Sequence, residues 1–365
     1  MSLVLPWLGF LVLVWRMAPW RLRGAAASIG SVPSPTAEGA HPLPFVSIIV
    51  PARNEAENLP TLLDSLQALA YPSFEIIVID DHSEDDTARI AEAHGATVLS
   101  APDKPADWAG KTWACWHGAK AARGQYLLFT DADTLHLPDS LREVMAFMRD
   151  HDVALCSSPP YHRTEKFWES LLGPFHMLLL LATAPYDRPT PRRVFAIGQY
   201  LLFKTEYYWK IGGHETVRET LAEDLAFASA SVEQGERYAV YMKRPLFQVR
   251  MYDSFLAFVA GWRRIFRWGM ERGTTWSTLE VMLVIFAITG FGRMFSTSGY
   301  FFVAMVSLGF VAWAQRRWGE FSAWGVVLFP FSIIVFTTVT LLSLADRVLR
   351  RPSYWRGRAY RAGVN

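Results

Sequence analysis

The chain has 365 residues, 51% of them hydrophobic, and its mean hydropathy is positive, so a purely soluble protein is disfavoured. A formal net charge of +2 gives no reason, by bulk charge, to expect nucleic-acid binding. The two cysteines, Cys115 and Cys156, lack metal-ligand spacing and argue against a disulfide framework, as expected in a reducing compartment.

The N-terminal segment Leu3–Trp15 is almost wholly apolar, and three arginines follow it between positions 16 and 23. Positive charge after the apolar core predicts an uncleaved anchor with its arginine end in the cytoplasm. The segment is shorter than a full span of roughly 20 residues, so a tilted or interfacial helix stays an alternative. We assign residues 1–24 to this anchor and residues 25–44, rich in Pro, Ser, Ala and Gly, to a linker.

The central part of the chain, from Val46 to about Val240, alternates short β-branched runs with helical patterns. Continuous apolar strands separated by helices predict a mostly parallel sheet covered on both faces. Ligands of such sheets bind beyond the carboxyl ends of the strands. The predicted strands are Val46–Val50, Ile76–Ile79, Thr97–Leu99 and Tyr126–Thr130, with helices from about Glu55 to Leu69 and from about Glu84 to His94.

The loop after the first predicted strand holds Pro51, Arg53, Asn54 and Glu55. A cationic Arg53 can meet a diphosphate there, and the amides of a helix N-terminus add partial positive charge. We therefore take Pro51, Arg53 and Glu55 as candidate residues for binding a donor substrate that carries a diphosphate. The alternative is an ordinary strand-to-helix turn in which Asn54 is the N-cap.

Two aspartates, Asp80 and Asp81, follow the second predicted strand. Carboxylates at the end of an apolar strand are costly unless they meet a ligand or a partner. Because they only accept hydrogen bonds, they suit a uracil imide or ribose hydroxyls. Ser83 could cap the next helix, with the acidic residues that follow it in the first turn.

Asp131 and Asp133 lie just past the fourth predicted strand. Aspartates at positions i and i+2 at a strand end can face one divalent ion that bridges a diphosphate, and their hard oxygens suit Mg²⁺ or Mn²⁺. Such a metal neutralises charge on a departing nucleotide. Upstream, Lys111 lies in a Gly-Lys-Thr sequence that lacks the first glycine of a phosphate-binding loop. We take Lys111 as a candidate contact to donor phosphate.

Glu223 and Asp224 follow Gly212, Gly213 and His214, where the glycines suit a tight turn. If a group is transferred from the diphosphate donor to a hydroxyl with inversion, a base must take the proton of that acceptor hydroxyl. A carboxylate held in position can do this. One of the two acids could be active and the other structural. The alternative is a helix start with acidic first-turn residues.

A basic and aromatic stretch, Arg263–Trp268, precedes the apolar C-terminal part. Arg264 and Arg267 share a helix face, and the Trp268 ring suits a membrane interface. Either Arg267 stabilises a diphosphate while Trp268 shapes the acceptor entrance, or the stretch contacts lipid head groups.

The apolar segments of the C-terminal half are Thr278–Phe291, Gly299–Ala314 and Ala323–Ala345. Three crossings after a cytoplasmic domain would leave the basic tail outside, against the positive-inside tendency. One segment could therefore be re-entrant or interfacial. The earlier segment Phe167–Ala184, interrupted at Gly173 and Pro174, predicts a buried or membrane-surface helix rather than a span.

In order along the chain, PARNEAENL, DDHSEDDT, FTDADT, AED and RRIFRW resemble the family 2 inverting glycosyltransferases of the GT-A fold. WAGKTWAC, GQYLLF and IGGHE are similar to the membrane-bound group that contains the ceramide and carotenoid glucosyltransferases. The resemblance implies an α/β fold, a GT-A (Rossmann-like) nucleotide-diphospho-sugar transferase domain with N-terminal and C-terminal transmembrane helices.

The resemblance also implies residue roles. Asp80 and Asp81 would hold the nucleotide, and Asp133 would be the surer metal contact of the Asp131–Asp133 pair. Asp224 would be the base, Arg267 and Trp268 would close the donor site, and Glu223, Arg264 and Trp268 would lie on the acceptor side. Related processive synthases carry Gln where this chain has Arg264, which favours a single transfer over polymer synthesis.

These observations predict a catalytic domain at 45–253, an amphipathic interfacial helix at 254–272, transmembrane helices at 273–346 and a basic tail at 347–365. The expected reaction moves one hexose, specifically glucose, from a UDP-sugar to a hydroxyl or carboxyl of a membrane lipid such as a carotenoid or a sphingolipid-like acceptor. A polysaccharide synthase, a polyprenyl-phosphate glycosyltransferase and a non-catalytic nucleotide-sugar sensor are the alternatives. We expect a multi-pass protein of the plasma (inner) membrane with its catalytic domain in the cytoplasm and no nucleic-acid partner.

Overall fold

The structure, a computed structural model, describes residues 4–17, 43–183, 189–191, 194–220, 222–269, 298–349, 353–355 and 358–360. Most of the predicted linker, the apolar segment Thr278–Phe291 and much of the basic tail therefore lie outside the described residues. The chain divides into two compact units. The α/β unit is Leu22–Tyr161 with Tyr186–Arg250, and the helical unit is Met1–Arg21, His162–Pro185 and Met251–Asn365.

The α/β unit is built on a seven-stranded mixed sheet. The strands of the chain are β1 (Val46–Ala52), β2 (Phe74–Asp80), β3 (Thr97–Ser100), β4 (Tyr126–Phe129), β5 (Thr134–His136), β6 (Leu155–Ser157), β7 (Tyr161–His162), β8 (Leu201–Lys204), β9 (Tyr238–Val240), β10 (Phe247–Val249), β11 (Ser353–Trp355) and β12 (Arg358–Tyr360). The large sheet has the order β3-β2-β1-β4-β8-β6-β9. Its pairs are parallel except those of β8, which runs antiparallel to β4 and β6, so the mostly parallel sheet predicted from the sequence is present.

The helices follow the apolar periodicity of the sequence. They are α1 (Val4–Met17), α2 (Leu59–Gln67), α3 (Thr87–Ala93), α4 (Gly110–Ala121), α5 (Ser140–Asp150), α6 (Phe167–Ser170), α7 (Gly173–Thr183), α8 (Thr205–Lys210), α9 (Glu223–Glu233), α10 (Phe255–Gly269), α11 (Ser298–Gln315), α12 (Ala323–Val327) and α13 (Phe329–Val348), with a 3₁₀ helix at Gly213–Val217. In α2, leucines 59, 62, 63 and 66 are fully buried, which is the spacing of one helix face. Each such burial stabilises the fold by roughly 1.5–3 kcal/mol.

Two predicted helix starts were wrong, and for one reason. Asn54 is not an N-cap, since α2 begins only at Leu59 and Asn54 has a left-handed φ of 52°. Ser83 does not cap the next helix, since α3 begins at Thr87. The Asn54 backbone N–H donates to Ser83 Oγ at 3.0 Å, and Asn54 Oδ1 accepts from the Glu84 N–H at 2.8 Å. The capping groups of the two loops bind each other instead of their own helices.

The core of the helical unit is aromatic. Helices α7, α10 and α13, together with Leu172 just before α7, contribute a buried cluster that comprises Leu172, Phe175, Phe258, Trp262, Val335 and Val339. The segment predicted as one interrupted helix forms α6 and α7. The interruption precedes Gly173, where a Cβ would lie 2.1 Å from Gln315 Oε1. Pro174 then takes a place in the first turn of α7, where a proline costs no intrahelical hydrogen bond.

One helix among the described residues, Phe329–Val348, is long and apolar enough to cross a membrane. In α11 the apolar part, Phe301–Gln315, is shorter, and the N-terminal helix α1 has 14 residues. The predicted N-terminal and C-terminal crossings therefore stay a prediction.

Candidate active site

The predicted site residues of the α/β unit lie at one edge of its large sheet. Arg53 follows β1, Asp80 ends β2, and Asp131 comes shortly after β4. β1 pairs in parallel with both β2 and β4, with Ala52 opposite Asp80 and Ile49 opposite Phe129. Because the carboxyl ends of neighbouring parallel strands meet at the same edge, the three motifs converge there.

The antiparallel strand β8 brings a fourth stretch of chain to this edge. Leu201 lies opposite Phe129, so the residues just before β8 lie beside those just after β4. Thr130 Oγ1 donates to the backbone oxygen of Gln199 at 2.8 Å, and Gln199 Nε2 donates to Asp133 Oδ1 at 3.3 Å. The sequence analysis gave no site role to Gly198 or Gln199. The available signal was a Gly-Gln pair directly before the apolar run that forms β8.

Lys111 joins the Asp131–Asp133 motif to the acidic pair of α9. Its Nζ lies 2.8 Å from Asp131 Oδ1 and 3.0 Å from Glu223 Oε1, and 3.4 Å from the Gly198 backbone oxygen. Lys111 lies at the start of α4 and Glu223 at the start of α9. Three acidic and basic motifs from distant parts of the sequence thus form one cluster, which we call the Lys111 cluster: Lys111, Asp131, Asp133, Glu223 and Asp224.

Gly198 lies in close contact with the Lys111 cluster. A Cβ at this position would lie 2.7 Å from Lys111 Nζ and 2.9 Å from Glu223 Oε1, so a side chain would force these groups to move. The Gly198 backbone N–H donates to Asp224 Oδ2 at 2.9 Å, and the Leu225 N–H donates to Asp224 Oδ1 at 2.7 Å. Both oxygens of Asp224 are therefore held by backbone amides.

The electrostatics of the Lys111 cluster are strongly perturbed. Burial, then the charges of Asp131 and Glu55, raises the pKa of Asp133 from 3.8 to about 7. Burial and the charge of Glu223 raise the pKa of Asp224 to about 7 as well. Burial alone would lower the pKa of Lys111, but the charges of Asp131 and Glu223 outweigh it and raise that pKa well above its usual value. Four carboxylates face one ammonium, so the cluster carries excess negative charge.

Arg53 and Asp81 form a second pair at the same sheet edge. Arg53 Nη1 donates to the Asp81 backbone oxygen at 3.3 Å and lies 4.0 Å from Asp81 Oδ2. Asp81 is buried, whereas Arg53 keeps about a quarter of its side-chain surface exposed, at 23%. Asp80 accepts from the Ser83 N–H at 3.3 Å. The two carboxylates predicted to hold a nucleotide therefore lie next to the predicted diphosphate contact.

Glu55 lies in the loop after β1, at the same sheet edge as the other candidate residues, and precedes the start of α2. It is buried, its Oε2 accepts from Asn58 Nδ2 at 2.8 Å, and its charge acts on Asp133. Its backbone N–H donates to Thr87 Oγ1 at 2.8 Å, and the Ala56 N–H donates to Asp85 Oδ2 at 3.1 Å. Pro51, also predicted to bind the donor, lies within β1.

The predicted residues of the basic stretch belong to the helical unit. Arg264, Arg267 and Trp268 lie on α10, and the side chains of Arg267 and Trp268 lie outside the described residues. Their roles therefore stay predictions. The neighbouring Arg263 is engaged by Asp346, which accepts from both Nε and Nη2 of its guanidinium.

Within the part of the chain that the structure describes, no group of three or more His, Cys, Asp and Glu side chains is arranged to hold a metal ion. Asp131 and Asp133 can supply two hard oxygen ligands, and any further ligands would have to come from the substrate or water.

Comparisons with known proteins show what the chain is similar to. Residues 47–212 match the family model "Glycosyl transferase family 2". The chain is 29% identical over 335 residues to 4,4'-diaponeurosporenoate glycosyltransferase of Staphylococcus aureus (strain USA300), which covers 86% of this chain and 88% of that protein. The protein of the same name from the bovine strain RF122 / ET3-1 is 28% identical over the same shares.

Among solved structures, the chain is similar to the mannosyltransferase PcManGT from Pyrobaculum calidifontis in complex with GDP-Man and Mn²⁺. The TM-score is 0.56 at 17% identity, over 96% of this chain and 100% of the other. At this identity the likeness shows a shared fold, the Rossmann-like α/β architecture described above.

Proposed function

We propose that this chain, in which residues 47–212 match the family 2 glycosyltransferase model, is such an enzyme and moves one hexose from a UDP-sugar onto a hydroxyl or carboxyl of a membrane lipid, with inversion at the anomeric carbon. Glucose is the specific sugar we expect. The observation that carries the proposal is the convergence of Asp131, Asp133, Glu223 and Asp224 around Lys111, next to the Arg53–Asp81 pair at the same sheet edge.

The donor fits the strand-end loops. Arg53, partly exposed beside Asp81, offers a cation to a diphosphate, and planar guanidinium groups suit phosphate oxygens. Asp80 and Asp81 offer acceptors to the donors of a uracil and a ribose. The structural relative in complex with GDP-Man supports a nucleotide-diphosphate sugar as the class of donor.

Asp131 and Asp133 fit a divalent cation, Mg²⁺ or Mn²⁺. Their two carboxylates are hard ligands. Burial, followed by the charges of Asp131 and Glu55, raises the pKa of Asp133, and a cation beside this carboxylate would offset both effects. A bound cation would neutralise charge on the leaving diphosphate. Gln199, which donates to Asp133 Oδ1, would hold that carboxylate in place.

Asp224 is the candidate base. Two backbone amides fix its carboxylate, and its pKa of about 7 makes it a stronger base than an ordinary aspartate, as suits proton transfer near neutral pH. With a hydroxyl acceptor, Asp224 takes the hydroxyl proton while the oxygen forms a bond to the anomeric carbon and the bond to the nucleotide diphosphate breaks. Attack from the face opposite the leaving group inverts the configuration.

The acceptor is proposed to be a lipid such as a carotenoid. The relative named for 4,4'-diaponeurosporenoate supports this class. On α13, Ile334, Leu341 and Val348 recur every seven residues and are 64%, 59% and 73% exposed, as expected of a helix face that meets lipid. We propose acceptor-side roles for Glu223, Arg264 and Trp268 and a donor-side role for Arg267, with the α/β unit in the cytoplasm at the plasma membrane.

The test is to incubate purified full-length protein with Mn²⁺, a panel of nucleotide sugars and a membrane lipid extract, and to analyse the lipids by mass. We expect one lipid that gains a single hexose from one UDP-sugar. An Asp224→Asn variant serves as the control without a base. A polymer, a sugar on a lipid phosphate, or donor hydrolysis without a glycosylated lipid would each contradict the proposal.

A further inference from the structure

We propose that Lys111 is a positioning residue that serves as a resident counter-cation: it holds Asp131 next to Glu223 until a divalent cation replaces it at Asp131. This inference rests on the proposed function, specifically on metal binding by Asp131 and Asp133. It differs from a phosphate-contact role for Lys111, because both anions that the ammonium meets belong to the protein itself.

The contacts of Lys111 match those of a counter-cation. Its ammonium lies at 2.8 Å from Asp131 and 3.0 Å from Glu223. The side chain of Glu223 is only 6% exposed, and those of Lys111 and Asp131 are 20% and 30% exposed. Buried carboxylates are costly unless a cation pairs with them, so Lys111 stabilises an arrangement that would otherwise repel itself.

The position of the ammonium is confined. The Gly198 backbone oxygen lies 3.4 Å from Lys111 Nζ, and a Cβ on Gly198 would lie within 2.7 Å of the same atom. Because Gly198 has no side chain, there is room for the Lys111 ammonium at this position. When Lys111 loses Asp131, it keeps Glu223 and the Gly198 oxygen as partners, so a small shift is sufficient to release Asp131.

The consequence is competition between Lys111 and the divalent cation for Asp131. Two ligands that share one partner are coupled, and typical coupling changes an affinity about 5- to 150-fold. Removal of the Lys111 charge should therefore strengthen cation binding. Loss of a residue that merely packs would not strengthen it.

The experiment measures Mn²⁺ binding to nucleotide-free full-length protein, from the electron paramagnetic resonance signal of free Mn²⁺. We expect Lys111→Met to bind Mn²⁺ about tenfold more tightly than the wild type. Lys120→Met is the matched control, since Lys120 lies on the same helix α4 but contacts the ring of Trp116, and its affinity should equal that of the wild type. Equal or weaker binding by Lys111→Met would overturn the inference.

Asp133→Asn separates this inference from the proposed function. If the wild type binds no Mn²⁺, or if Asp133→Asn binds it as well as the wild type, the proposed metal site itself fails. If Asp133→Asn loses binding while Lys111→Met leaves the affinity unchanged, the inference alone fails.

A second variant and a second readout protect the test against misfolding. Lys111→Gln keeps a hydrogen-bond donor without the charge and should also bind Mn²⁺ more tightly. In thermal unfolding, metal-free Lys111→Met should melt below the wild type, and Mn²⁺ should raise its midpoint more than that of the wild type. A decrease in metal-free UDP affinity without a change in Mn²⁺ affinity would instead identify Lys111 as a phosphate contact and overturn the proposal.

Discussion

The two units of the molecule differ in how their buried charges are balanced. In the α/β unit, the Lys111 cluster sets four carboxylates against one ammonium, and two of those carboxylates have a pKa raised to about 7. In the helical unit, Arg263 and Asp346 form a matched pair of one cation and one anion, and Ser343 Oγ donates to the Arg263 backbone oxygen at 2.9 Å.

The difference is the one expected between a ligand-binding arrangement and a structural one. A matched pair is complete without any ligand, so its loss should lower stability. An unmatched group of like charges costs stability, and it persists where an incoming cation, proton or substrate completes it. Charge balance therefore distinguishes the two sites better than burial does, since buried acids occur in both.

The strongest test of this distinction is Asp224→Asn. Loss of a general base lowers kcat by about 10²- to 10⁴-fold, whereas removal of one excess charge should leave the thermal midpoint unchanged or higher. Sugar transfer and thermal unfolding are measured on the same preparation. Glu92→Gln, an exposed acid on α3, should retain wild-type activity. A variant with normal kcat would remove Asp224 from the mechanism.

In the helical unit, Asp346→Asn should act in the opposite sense. Because Arg263 keeps 33% of its side-chain surface exposed, we expect a loss of about 1–3 kcal/mol in the free energy of unfolding, less than for a fully buried pair. Denaturant unfolding in detergent gives this value. Arg263→Met together with Asp346→Leu should lose less than Asp346→Asn alone, since neither charge is then left unpaired. If the single variant is as stable as the wild type, the pair is not structural.

The third expected effect is a pH dependence of the α/β unit. The unfolded chain titrates Asp133 and Asp224 near 3.8, and the folded chain near 7. The folded state thus binds these protons more tightly, so their contribution is full below the unfolded pKa and is lost as pH rises through about 7. We expect metal-free thermal midpoints to fall between about pH 4 and about pH 7, and Asp133→Asn to reduce that fall. Parallel curves for the two proteins would contradict the raised pKa of Asp133.

Much of the fold was predictable because local chemistry decides it. The runs of Val and Ile in β1 and β2 can be satisfied only by a strand buried on both faces, and both strands were predicted to within three residues at either end. The pairing of β8 with β4 was not predictable, because it joins residues more than seventy positions apart. The predicted starts of α2 and α3 were wrong because Asn54 and Ser83 bind each other across two loops. No local sequence pattern indicates this contact.

The candidate site was predictable where charged residues interrupt apolar strands. Asp81, Asp131 and Asp133 were selected as candidates because ionised groups beside buried strands need a partner or a ligand. Lys111 was identified, but its carboxylate partners were not, since they depend on how α4 and α9 approach each other. Gly198 contributes a backbone N–H group and the space left by its missing side chain. Neither contribution can be predicted from the presence of a glycine in the sequence. Gln199 acts through an amide that only the antiparallel strand brings to Asp133.

The mutual binding of the loops around Asn54 and Ser83 has a thermodynamic consequence. Four hydrogen bonds tie the backbone of residues 54–56 and Glu84 to side chains of the opposite loop, and these loops flank Arg53 and Asp81. The entropy cost of ordering these loops is therefore incurred when the chain folds and does not reduce the affinity for a nucleotide. A binding surface that is ordered before the ligand arrives retains more of its contact energy as affinity, so a nucleotide bound at these loops would lose little affinity to the ordering of the chain.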